Sequence, residues 1–388
     1  MKNKGKYSGL RVLIVEGRAR QSLPLIRSFK KQGCFVAALC NSKLDISYAS
    51  RFVDKKILGI CDNEREKETT GQILKLLKTN EFDIVVPTTD FITDILSKNK
   101  VEFSKYSLIA SNDFDTYQLA RDKNKTMKVC MDEGIPCPYT LLNVNSINDI
   151  LESSIAFPIV VKPKIGFGAV GFKVIESKEK LLEIANKIDN FADYVFQEYI
   201  PQTDIQYECA MFIDNDNEIK TAVVFSKNRW FPIKGGSSTL NITVDRPDII
   251  ESCKRLLQKL NWRGPADIDL IQDPRDGIAK IMEINPRVSG SVKITFDAGT
   301  DQGLQILQLL KNDNVTPFLN YELGRRLRCF QTDLLWFIKS PDRFKSKPSW
   351  FSNRKTHDQI FYWSDPLPFF AFSLSGIFKY KKEIKKRS

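Results

Sequence analysis

Histidine is almost absent from this chain of 388 residues, since His357 is the only one. Acid–base catalysis by histidine and histidine-based metal sites are therefore nearly excluded. The chain has eight cysteines, but no pair of them has CxxC spacing, and most lie in apolar stretches. We expect reduced, buried thiols of a cytosolic protein rather than disulfides or a zinc site.

Long apolar runs are also missing. No stretch reaches the ~20 apolar residues that a membrane span needs. The first residues, MKNKGKYSGL, lack the apolar segment of a signal peptide. We therefore expect a cytoplasmic protein. With 388 residues and 42% hydrophobic side chains, the chain should form two or three domains with sizeable cores.

The N-terminal part alternates apolar strands with an amphipathic helix. The predicted strands are RVLIV (11–15), CFVAALC (34–40) and FDIVVPTT (82–89), and residues 22–32 form a predicted helix. This alternation is typical of a parallel α/β sheet. The turn after the first strand, EGRARQ, lacks the G-x-G-x-x-G of dinucleotide sites. We therefore expect a Rossmann-like scaffold without its cofactor loop.

The most informative segment reads ADIDLIQDPRDGIAKIMEINPR. Asp267 and Asp269 alternate along one predicted strand, so they share a face. Glu283, Asn285 and Arg287 alternate in the same way along the next strand. The DPRDG between them indicates a hairpin turn, which places the two strands side by side. Carboxylate and amide oxygens suit Mg²⁺, which proteins usually hold through one or two carboxylates and nucleotide phosphates. The alternative is an edge hairpin with solvated charges.

A glycine-rich loop lies upstream of this hairpin. The segment FPIVVKPKIGFGAVGFKVIES (157–177) is an apolar strand ending in Lys162, a loop with Gly166, Gly168 and Gly171, and a second strand. Glycines let backbone N–H groups approach phosphates closely, and the lysine supplies a positive charge. The loop is not a Walker A motif, because no GK[ST] closes it and it joins two strands. Together with the acidic hairpin, it predicts a nucleotide site.

These motifs, in this order, resemble the ATP-grasp superfamily, and most closely its carbamoyl-phosphate-synthase-like and carboxylate–amine ligase branch. The resemblance covers most of the chain and implies a mixed α/β and α+β architecture. It implies a Rossmann-like pre-ATP-grasp domain, a two-lobed ATP-grasp module that encloses ATP, and a C-terminal extension. The implied ranges are 1–112 for the first domain, 113–193 for the lobe with the glycine-rich flap, 194–312 for the lobe with the magnesium site, and 313–388 for the basic, aromatic extension.

The resemblance also implies nucleotide-binding residues. Two lysines, one in RDKNKT and one in PIVVKP, would contact the phosphates beneath the flap. In FQEYI, Glu198 would accept a hydrogen bond from the adenine amino group, and the backbone of Ile200 would meet the ring. Asp204 is the implied partner of the ribose hydroxyls, and Glu208 is a second candidate for that role. The full set is Lys123, Lys162, Gly166, Gly168, Gly171, Glu198, Ile200, Asp204 and Glu208.

The acidic hairpin supplies the implied metal and catalytic residues. Asp269, Glu283 and Asn285 would hold Mg²⁺ (or Mn²⁺) that bridges the β- and γ-phosphates of ATP. Relatives often have glutamate at the first of these positions. Arg287 lies in NPRVSGS, which matches the family pattern NxRxxGS, and it would stabilise charge on the transferred phosphoryl group.

The segment RWFPIKGGSSTL lies where relatives bind the acceptor and the product anion. Lys234 and the adjacent glycine backbone would form an anion site there, and Arg229 is an alternative clamp for a carboxylate. A glycine loop that only closes a sheet remains the alternative. We therefore count Arg287, Lys234 and Arg229 as candidate catalytic residues.

The resemblance implies a ligase that depends on ATP and Mg²⁺. A carboxylate would attack the γ-phosphorus to give an acyl phosphate and ADP, and an amine would then displace phosphate. This chemistry needs charge neutralisation and positioning more than acid–base catalysis, which agrees with the scarcity of histidine. The expected partners are a small-molecule carboxylate and an amine, in surface-polysaccharide or amino-acid-derivative biosynthesis. The alternatives are a nucleotide-binding scaffold without ligase chemistry, which docks a partner or membrane, and a kinase.

The net charge of +12 is concentrated near the C-terminus. Residues 321–388 contain fifteen Lys and Arg against six Asp and Glu, together with fifteen aromatic residues. In 364–388 an apolar stretch lies beside six Lys and Arg, which suits an anionic membrane surface or a lipid-linked substrate. The alternative, which we favour, is a tail that packs on the core and ends in a solvated basic helix. Nucleic acid is not an expected partner, because no nucleic-acid-binding motif accompanies the charge.

Overall fold

The structure is a computed structural model of the chain. It describes residues 5–166, 171–186, 188–201, 205–233 and 235–376. Three sheets organise this part of the chain: a five-stranded parallel sheet, a four-stranded antiparallel sheet and a seven-stranded mixed sheet. The expected combination of α/β and α+β architecture is confirmed.

The strands are β1 (Arg11–Val15), β2 (Phe35–Cys40), β3 (Lys55–Leu58), β4 (Ile84–Pro87), β5 (Leu108–Ile109), β6 (Thr140–Leu141), β7 (Ile159–Pro163), β8 (Lys173–Ile175), β9 (Tyr194–Glu198), β10 (Gln206–Ile213), β11 (Ile219–Phe231), β12 (Ser237–Thr243), β13 (Gly264–Gln272), β14 (Ala279–Asn285), β15 (Arg326–Arg328) and β16 (Thr356–Asp358). The α-helices are α1 (Ser22–Lys31), α2 (Ile46–Ala49), α3 (Glu66–Leu77), α4 (Asp90–Lys98), α5 (Lys100–Phe103), α6 (Phe114–Arg121), α7 (Lys123–Asp132), α8 (Ile147–Leu151), α9 (Lys178–Ala185), α10 (Pro247–Lys259), α11 (Lys293–Asp297), α12 (Gln302–Leu310) and α13 (Phe330–Lys339). Residues 367–376 are also helical.

The first sheet has the order β3-β2-β1-β4-β5, and all of its strands are parallel. This is the order of a doubly wound fold, so the predicted Rossmann-like scaffold is confirmed. Helix α1 packs on one face through Leu25 and Phe29, whereas α3 and α4 cover the other face through Ile73 and Ile95. Ligands of such sheets bind at the carboxyl ends of the strands, which here lead into Glu16 after β1 and Asp90 after β4.

The second sheet has the order β6-β9-β7-β8 and is antiparallel. Strands β7 and β8 form the hairpin predicted on either side of the glycine-rich loop. Strand β9 pairs with β7, whereas β10 belongs to the seven-stranded sheet. The chain therefore changes sheet between β9 and β10. The division of the two lobes at residue 193 stays a prediction.

The third sheet has the order β14-β13-β10-β11-β12-β15-β16. Strands β13 and β14 form the predicted acidic hairpin, in which Asp269 lies opposite Glu283 and Asp267 lies opposite Asn285. One face of this sheet is apolar and packs on α6, α7 and α10 in a single core cluster. Strand residues with the other parity, among them the acidic ones, therefore point to the opposite face.

The C-terminal extension is part of the third sheet. Strand β15 pairs with β12, and β16 pairs with β15 in parallel. Side chains of 360–372 join a cluster with α1 and α2. Within the tail 364–388, Phe369 and Phe372 thus pack on the core, as we favoured from the sequence, whereas 377–388 lie outside the described residues. Within the described ranges, no helix is long and apolar enough to cross a membrane.

A buried ion pair ties the extension to the sheet. The Nε atom of Arg229 on β11 lies 2.9 Å from Oδ1 of Asp333 on α13, and the two side chains are 4% and 0% exposed. The guanidinium also lies 4.9 Å from the ring centroid of Trp336. Burial lowers the pKa of Arg229 and raises the pKa of Asp333, and each group opposes the shift of the other. Because water does not reach either charged group, each depends on the other as its counter-ion.

We predict that Asp333→Ala lowers the free energy of unfolding by about 3 to 5 kcal/mol, because it leaves a buried guanidinium without its counter-ion. Urea unfolding followed by circular dichroism would measure this change. The matched control is Asp132→Ala, which breaks the exposed pair with Lys128 and should cost less than about 1 kcal/mol. An Asp333 variant as stable as this control would show that the pair does not anchor the extension.

Candidate active site

Three carboxylates form a row across neighbouring strands of the seven-stranded sheet. Glu283 on β14 lies opposite Asp269 on β13, which in turn lies opposite Glu208 on β10. Residues opposite each other on antiparallel strands have Cβ atoms only about 5 Å apart. Like charges at that separation repel, so the row requires nearby positive charge or protonation.

Lys227 supplies positive charge to the centre of this row. It extends from β11, donates a hydrogen bond to Asp269, and places its Nζ atom 3.4 Å from Oε2 of Glu208. Burial disfavours the ammonium, but Asp269 and Glu208 outweigh that effect and raise the pKa of Lys227, so the side chain remains charged. The sequence analysis missed Lys227. Only its position shortly after the apolar run AVVF could have indicated it in the sequence.

Lys123, the first predicted phosphate-binding lysine, supplies charge at the other end of the row. It is the first residue of α7, and its Nζ atom lies 3.0 Å from Oε2 of Glu283. The same ammonium donates a hydrogen bond of 3.0 Å to the carbonyl oxygen of Gly166. Lys123 therefore joins the acidic hairpin to the start of the glycine-rich loop, two motifs that the sequence treats as separate.

Asp267 and Asp269 have different surroundings although they share a face of β13. Asp267 is 2% exposed, and burial, together with the neighbouring Glu208, raises its pKa well above the usual range. Burial therefore favours the protonated form of Asp267, whereas Asp269 is paired with Lys227. Glu208 also accepts a hydrogen bond from Ser289. This places Glu208 within the acidic row, and its role at the ribose stays a prediction.

Arg287 connects the acidic hairpin to the parallel sheet. Its Nε and Nη2 atoms lie 3.0 Å from Oδ2 of Asp90, at the carboxyl end of β4. Its Nη2 atom also donates to Oδ1 of Asn285 (3.2 Å), and Asn285 donates to Asp269 (3.2 Å). Burial disfavours the guanidinium, but Asp90 outweighs it and raises the pKa of Arg287. The sequence analysis missed Asp90. Only its position shortly after a buried parallel strand could have indicated it.

Lys162, the second predicted phosphate-binding lysine, ends the buried strand β7 and is 9% exposed. Burial lowers the pKa of Lys162 to about 8. The positive charge of Lys123 lowers it further, whereas the carboxylates Glu283 and Asp269 oppose the shift. The charged groups that act on the pKa of Lys162 thus include two carboxylates of the acidic row. A bound anion would stabilise the ammonium form, because opposite charge favours ionisation.

Gly171, Glu198 and Ile200 are further predicted nucleotide-binding residues that the structure describes. Gly171 has a φ of +76°, and a Cβ atom there would lie 2.9 Å from Cγ of Pro163, so this position requires glycine. The carboxylate of Glu198 accepts a hydrogen bond from the backbone N–H of Tyr139 (3.0 Å) and pairs with Arg275 (2.9 Å). Its role as an acceptor for adenine stays a prediction, as does that of Ile200, which is 3% exposed.

The remaining predicted residues fall into two groups. Gly168, Asp204 and Lys234 lie outside the described residues. Arg229 already binds a carboxylate, that of Asp333, in the extension. Its Nη1 atom is nevertheless buried with no hydrogen-bond partner among the residues that the structure describes. The proposed clamp for a substrate carboxylate therefore also stays a prediction.

The predicted metal ligands form an incomplete oxygen site. Asp269 and Glu283 face each other across the hairpin, and Asn285 hydrogen-bonds to Asp269. Over the described ranges, no group of three His, Cys, Asp or Glu side chains could hold a metal ion by itself. This donor set fits Mg²⁺, which takes oxygen ligands and is commonly held by one or two carboxylates together with substrate phosphates.

Comparison with known proteins identifies a domain family and a relative. The family described as an ATP-grasp domain matches residues 120–291. D-aspartate ligase from Enterococcus faecium is 24% identical over 328 residues, which cover 77% of this chain and 76% of the relative.

Two solved structures share the fold. The biotin carboxylase domain of Hydrogenobacter thermophilus 2-oxoglutarate carboxylase, solved with MgADP, has a TM-score of 0.67 at 14% identity and covers 81% of this chain and 73% of its own. N5-carboxyaminoimidazole synthetase from Staphylococcus aureus has a TM-score of 0.64 at 17% identity, with coverages of 84% and 82%. Residues 120–291 are thus an ATP-grasp domain, and the two solved structures show the same fold over most of the chain.

Proposed function

We propose that this protein is an ADP-forming ligase that activates a small-molecule carboxylate with ATP and couples it to an amine. The observation that supports this most directly is the balanced row of charges around Asp269 and Glu283, with Lys123, Lys162 and Arg287 directed at it. Its proposed partners are the two small molecules, together with an anionic membrane surface. The relative named D-aspartate ligase favours an amino acid among the substrates, in amino-acid-derivative or surface-polysaccharide biosynthesis.

Lys123 and Lys162 would bind the phosphates. In this structure the ammonium of Lys123 bonds to Glu283 and to the carbonyl of Gly166. Phosphate oxygens would compete for the same ammonium, so binding of ATP and the position of the glycine-rich flap should be linked. The flap would then exclude water, which matters because an acyl phosphate hydrolyses readily.

Asp269, Glu283 and Asn285 would hold Mg²⁺, which supplies positive charge to the phosphates when bound. The neighbouring Lys227 stays protonated and limits the net negative charge of the empty row. This arrangement reduces repulsion between the carboxylates and the approaching triphosphate.

Arg287 would stabilise the phosphoryl group during transfer. The pairing with Asp90 and Asn285 holds its guanidinium in one direction, so little reorganisation would be needed at the moment of reaction. Asp90 also lies at the edge where parallel sheets bind ligands, which favours this edge as the position of the reacting carboxylate. A nucleotide-binding scaffold without chemistry, the alternative function, does not account for a guanidinium held in this way.

The proposal is tested by screening pairs of amino acids and sugar acids for release of ADP, with purified protein and Mg²⁺-ATP. The expected result is ADP release that depends on both a carboxylate and an amine. Release with the carboxylate alone, in amounts equal to a phosphorylated product, would instead indicate a kinase. No ADP release with any pair, although ATP binds, would favour the scaffold.

We predict that Arg287→Ala lowers the rate of ADP formation by about a thousandfold or more, because an arginine at the transferred phosphoryl group contributes on that order. The affinity for ATP, measured by isothermal titration calorimetry, should change only severalfold. The matched control is Arg255→Ala, which removes an exposed arginine on α10 and should leave the rate unchanged. Normal turnover by the Arg287 variant would refute its catalytic role.

We predict that ATP binding weakens as the pH rises through about 8, where Lys162 loses its proton in the free protein. The pKa of Lys162 is depressed by the fold, and phosphate binds the ammonium form, so the affinity should be flat below this pH. Above it the affinity should fall by up to about tenfold per pH unit.

The control for this profile is Lys162→Arg, because a guanidinium keeps its charge over the whole range. Titration of ATP against both proteins from about pH 7 to about pH 9.5 covers the expected transition. If the wild-type protein and the variant show the same profile, Lys162 does not bind the phosphates through its charge.

A further inference from the structure

A cavity of about 420 Å³ lies between the parallel sheet and the large sheet, and we name it the inter-sheet cavity. One wall comes from β5 and the segment after it, and the opposite wall comes from the start of β13 and the end of α12. Asn112 joins the two walls, because its side chain donates to the carbonyl oxygen of Arg263 (2.8 Å) and accepts from the backbone N–H of Arg263 (3.0 Å). A cavity of this size can hold a small molecule.

The inter-sheet cavity lies beside the candidate active site. Its lining includes Pro286, Arg287 and Val288, but none of the carboxylates of the acidic row is among the described residues that line it. The guanidinium of Arg287 already bonds to the protein through all three nitrogens, with Nε and Nη2 at Asp90 and Nη1 at the carbonyl oxygen of Val288 (3.2 Å). A molecule in the cavity would therefore touch the segment that carries Arg287 without contacting the acidic row.

The lining of the inter-sheet cavity favours a negatively charged ligand. Lys100, Arg263 and Arg287 are among its residues, against the single carboxylate of Asp113. The Nζ atom of Lys100 lies 2.9 Å from Oδ1 of Asp113, whose side chain is 82% exposed. An ion pair this open to water contributes little stability, so the carboxylate of a ligand can compete for the ammonium of Lys100.

Apolar side chains form another part of the lining. Leu108 comes from β5, whereas Ile306, Leu309 and Leu310 come from α12. Leu108 is 38% exposed, so part of this apolar surface is in contact with water. Covering such surface with an apolar group is favourable, and inorganic phosphate has no group that could do so. The cavity therefore favours an organic anion over an inorganic one.

Ser111 supplies an unused hydrogen-bonding group. Its Oγ atom is buried and has no hydrogen-bond partner within the described ranges of the chain. Ser111 also lines the inter-sheet cavity. A buried polar group without a partner costs stability, and most such groups in folded proteins are paired with protein or with a bound molecule. A carboxylate oxygen in the cavity could accept the missing hydrogen bond.

We propose that the inter-sheet cavity binds a small organic carboxylate with an apolar body, either a simple carboxylic acid or an apolar amino acid. The carboxylate binds Lys100 and Ser111, and the apolar body lies on Leu108 and Leu309. This site is additional to the substrate sites of the proposed ligase. Binding to it requires neither ATP nor turnover, so the two proposals can fail independently.

The test is isothermal titration calorimetry of the full-length protein without nucleotide. The probes are leucine, isocaproate, isoamylamine and inorganic phosphate. Isocaproate is leucine without its amino group, and isoamylamine is leucine without its carboxylate, so these three share one branched apolar body. We expect leucine and isocaproate to bind and isoamylamine not to bind. The tighter of the two carboxylates distinguishes an amino acid from a simple acid as the source, because only leucine carries an ammonium that Asp113 could accept.

Two variants locate the binding. Lys100→Gln should weaken the binding of isocaproate about tenfold, and Ser111→Ala should weaken it about fivefold, because each removes one hydrogen bond to the carboxylate. The matched control is Lys105→Gln, which removes a nearby exposed lysine paired with Glu102. Lys105 is not among the described residues that line the cavity, so this variant should bind isocaproate like the wild type. Circular dichroism would verify that each variant is folded.

Four results would overturn the proposal. The first is that neither leucine nor isocaproate binds the wild-type protein. The second is an equal loss of affinity in Lys100→Gln and Lys105→Gln, which would place the binding elsewhere. The third is equal affinity for inorganic phosphate and isocaproate, which would exclude a role for the apolar body. The fourth is ATP-dependent consumption of leucine or isocaproate that Lys100→Gln abolishes, because the cavity would then be a substrate site of the ligase.

Discussion

The structure depends on the pairing of one row of carboxylates with positively charged side chains. Strand register places Glu283, Asp269 and Glu208 side by side, where they would repel each other if all were charged and unpaired. Lys227 and Lys123 pair with them. Each cation comes from a different element, so the row can form only when the strands of the large sheet and helix α7 are assembled around it.

The loop NPRVSGS connects the large sheet to the parallel sheet and to the extension. Arg287 reaches Asp90 in the parallel sheet, and Ser291 accepts a hydrogen bond from Asn241 on β12 (3.0 Å). From the extension, Gln359 donates to the carbonyl oxygen of Gly290 (2.5 Å). The amide oxygen of Gln359 also accepts from Arg20 in the loop after β1 (2.8 Å), so the extension bridges the first domain and this loop. The extension therefore contacts the loop that carries Arg287.

Much of the site could be read from the order of residues. Alternation predicted the shared face of Asp269 and its neighbours, and the DPRDG turn predicted the hairpin, because both are local features. The same holds for Lys162 at the end of an apolar strand. Lys227 and Asp90 were not predicted as site residues, because the residues next to them in the sequence form no recognisable motif. Their positions become meaningful only when strands far apart in the chain are placed next to each other.

The extension also has features that could not be predicted from the sequence. Its composition predicted a basic, aromatic segment that packs on the core, but not that β15 and β16 would continue the large sheet. Pairing between distant strands leaves no local pattern, because it depends on which edge is free after the rest has folded.

Sequence alone determined the element types, the acidic hairpin and the lysine beside the glycine-rich loop, since short-range periodicity and turn chemistry decide these. Only the tertiary structure decided the ionic partners of each carboxylate. It also decided that burial raises the pKa of Asp267 and that Arg229 is paired with Asp333. The physical reason is that charge state and pairing follow from burial and from neighbours across space, which a linear chain does not specify until it has folded.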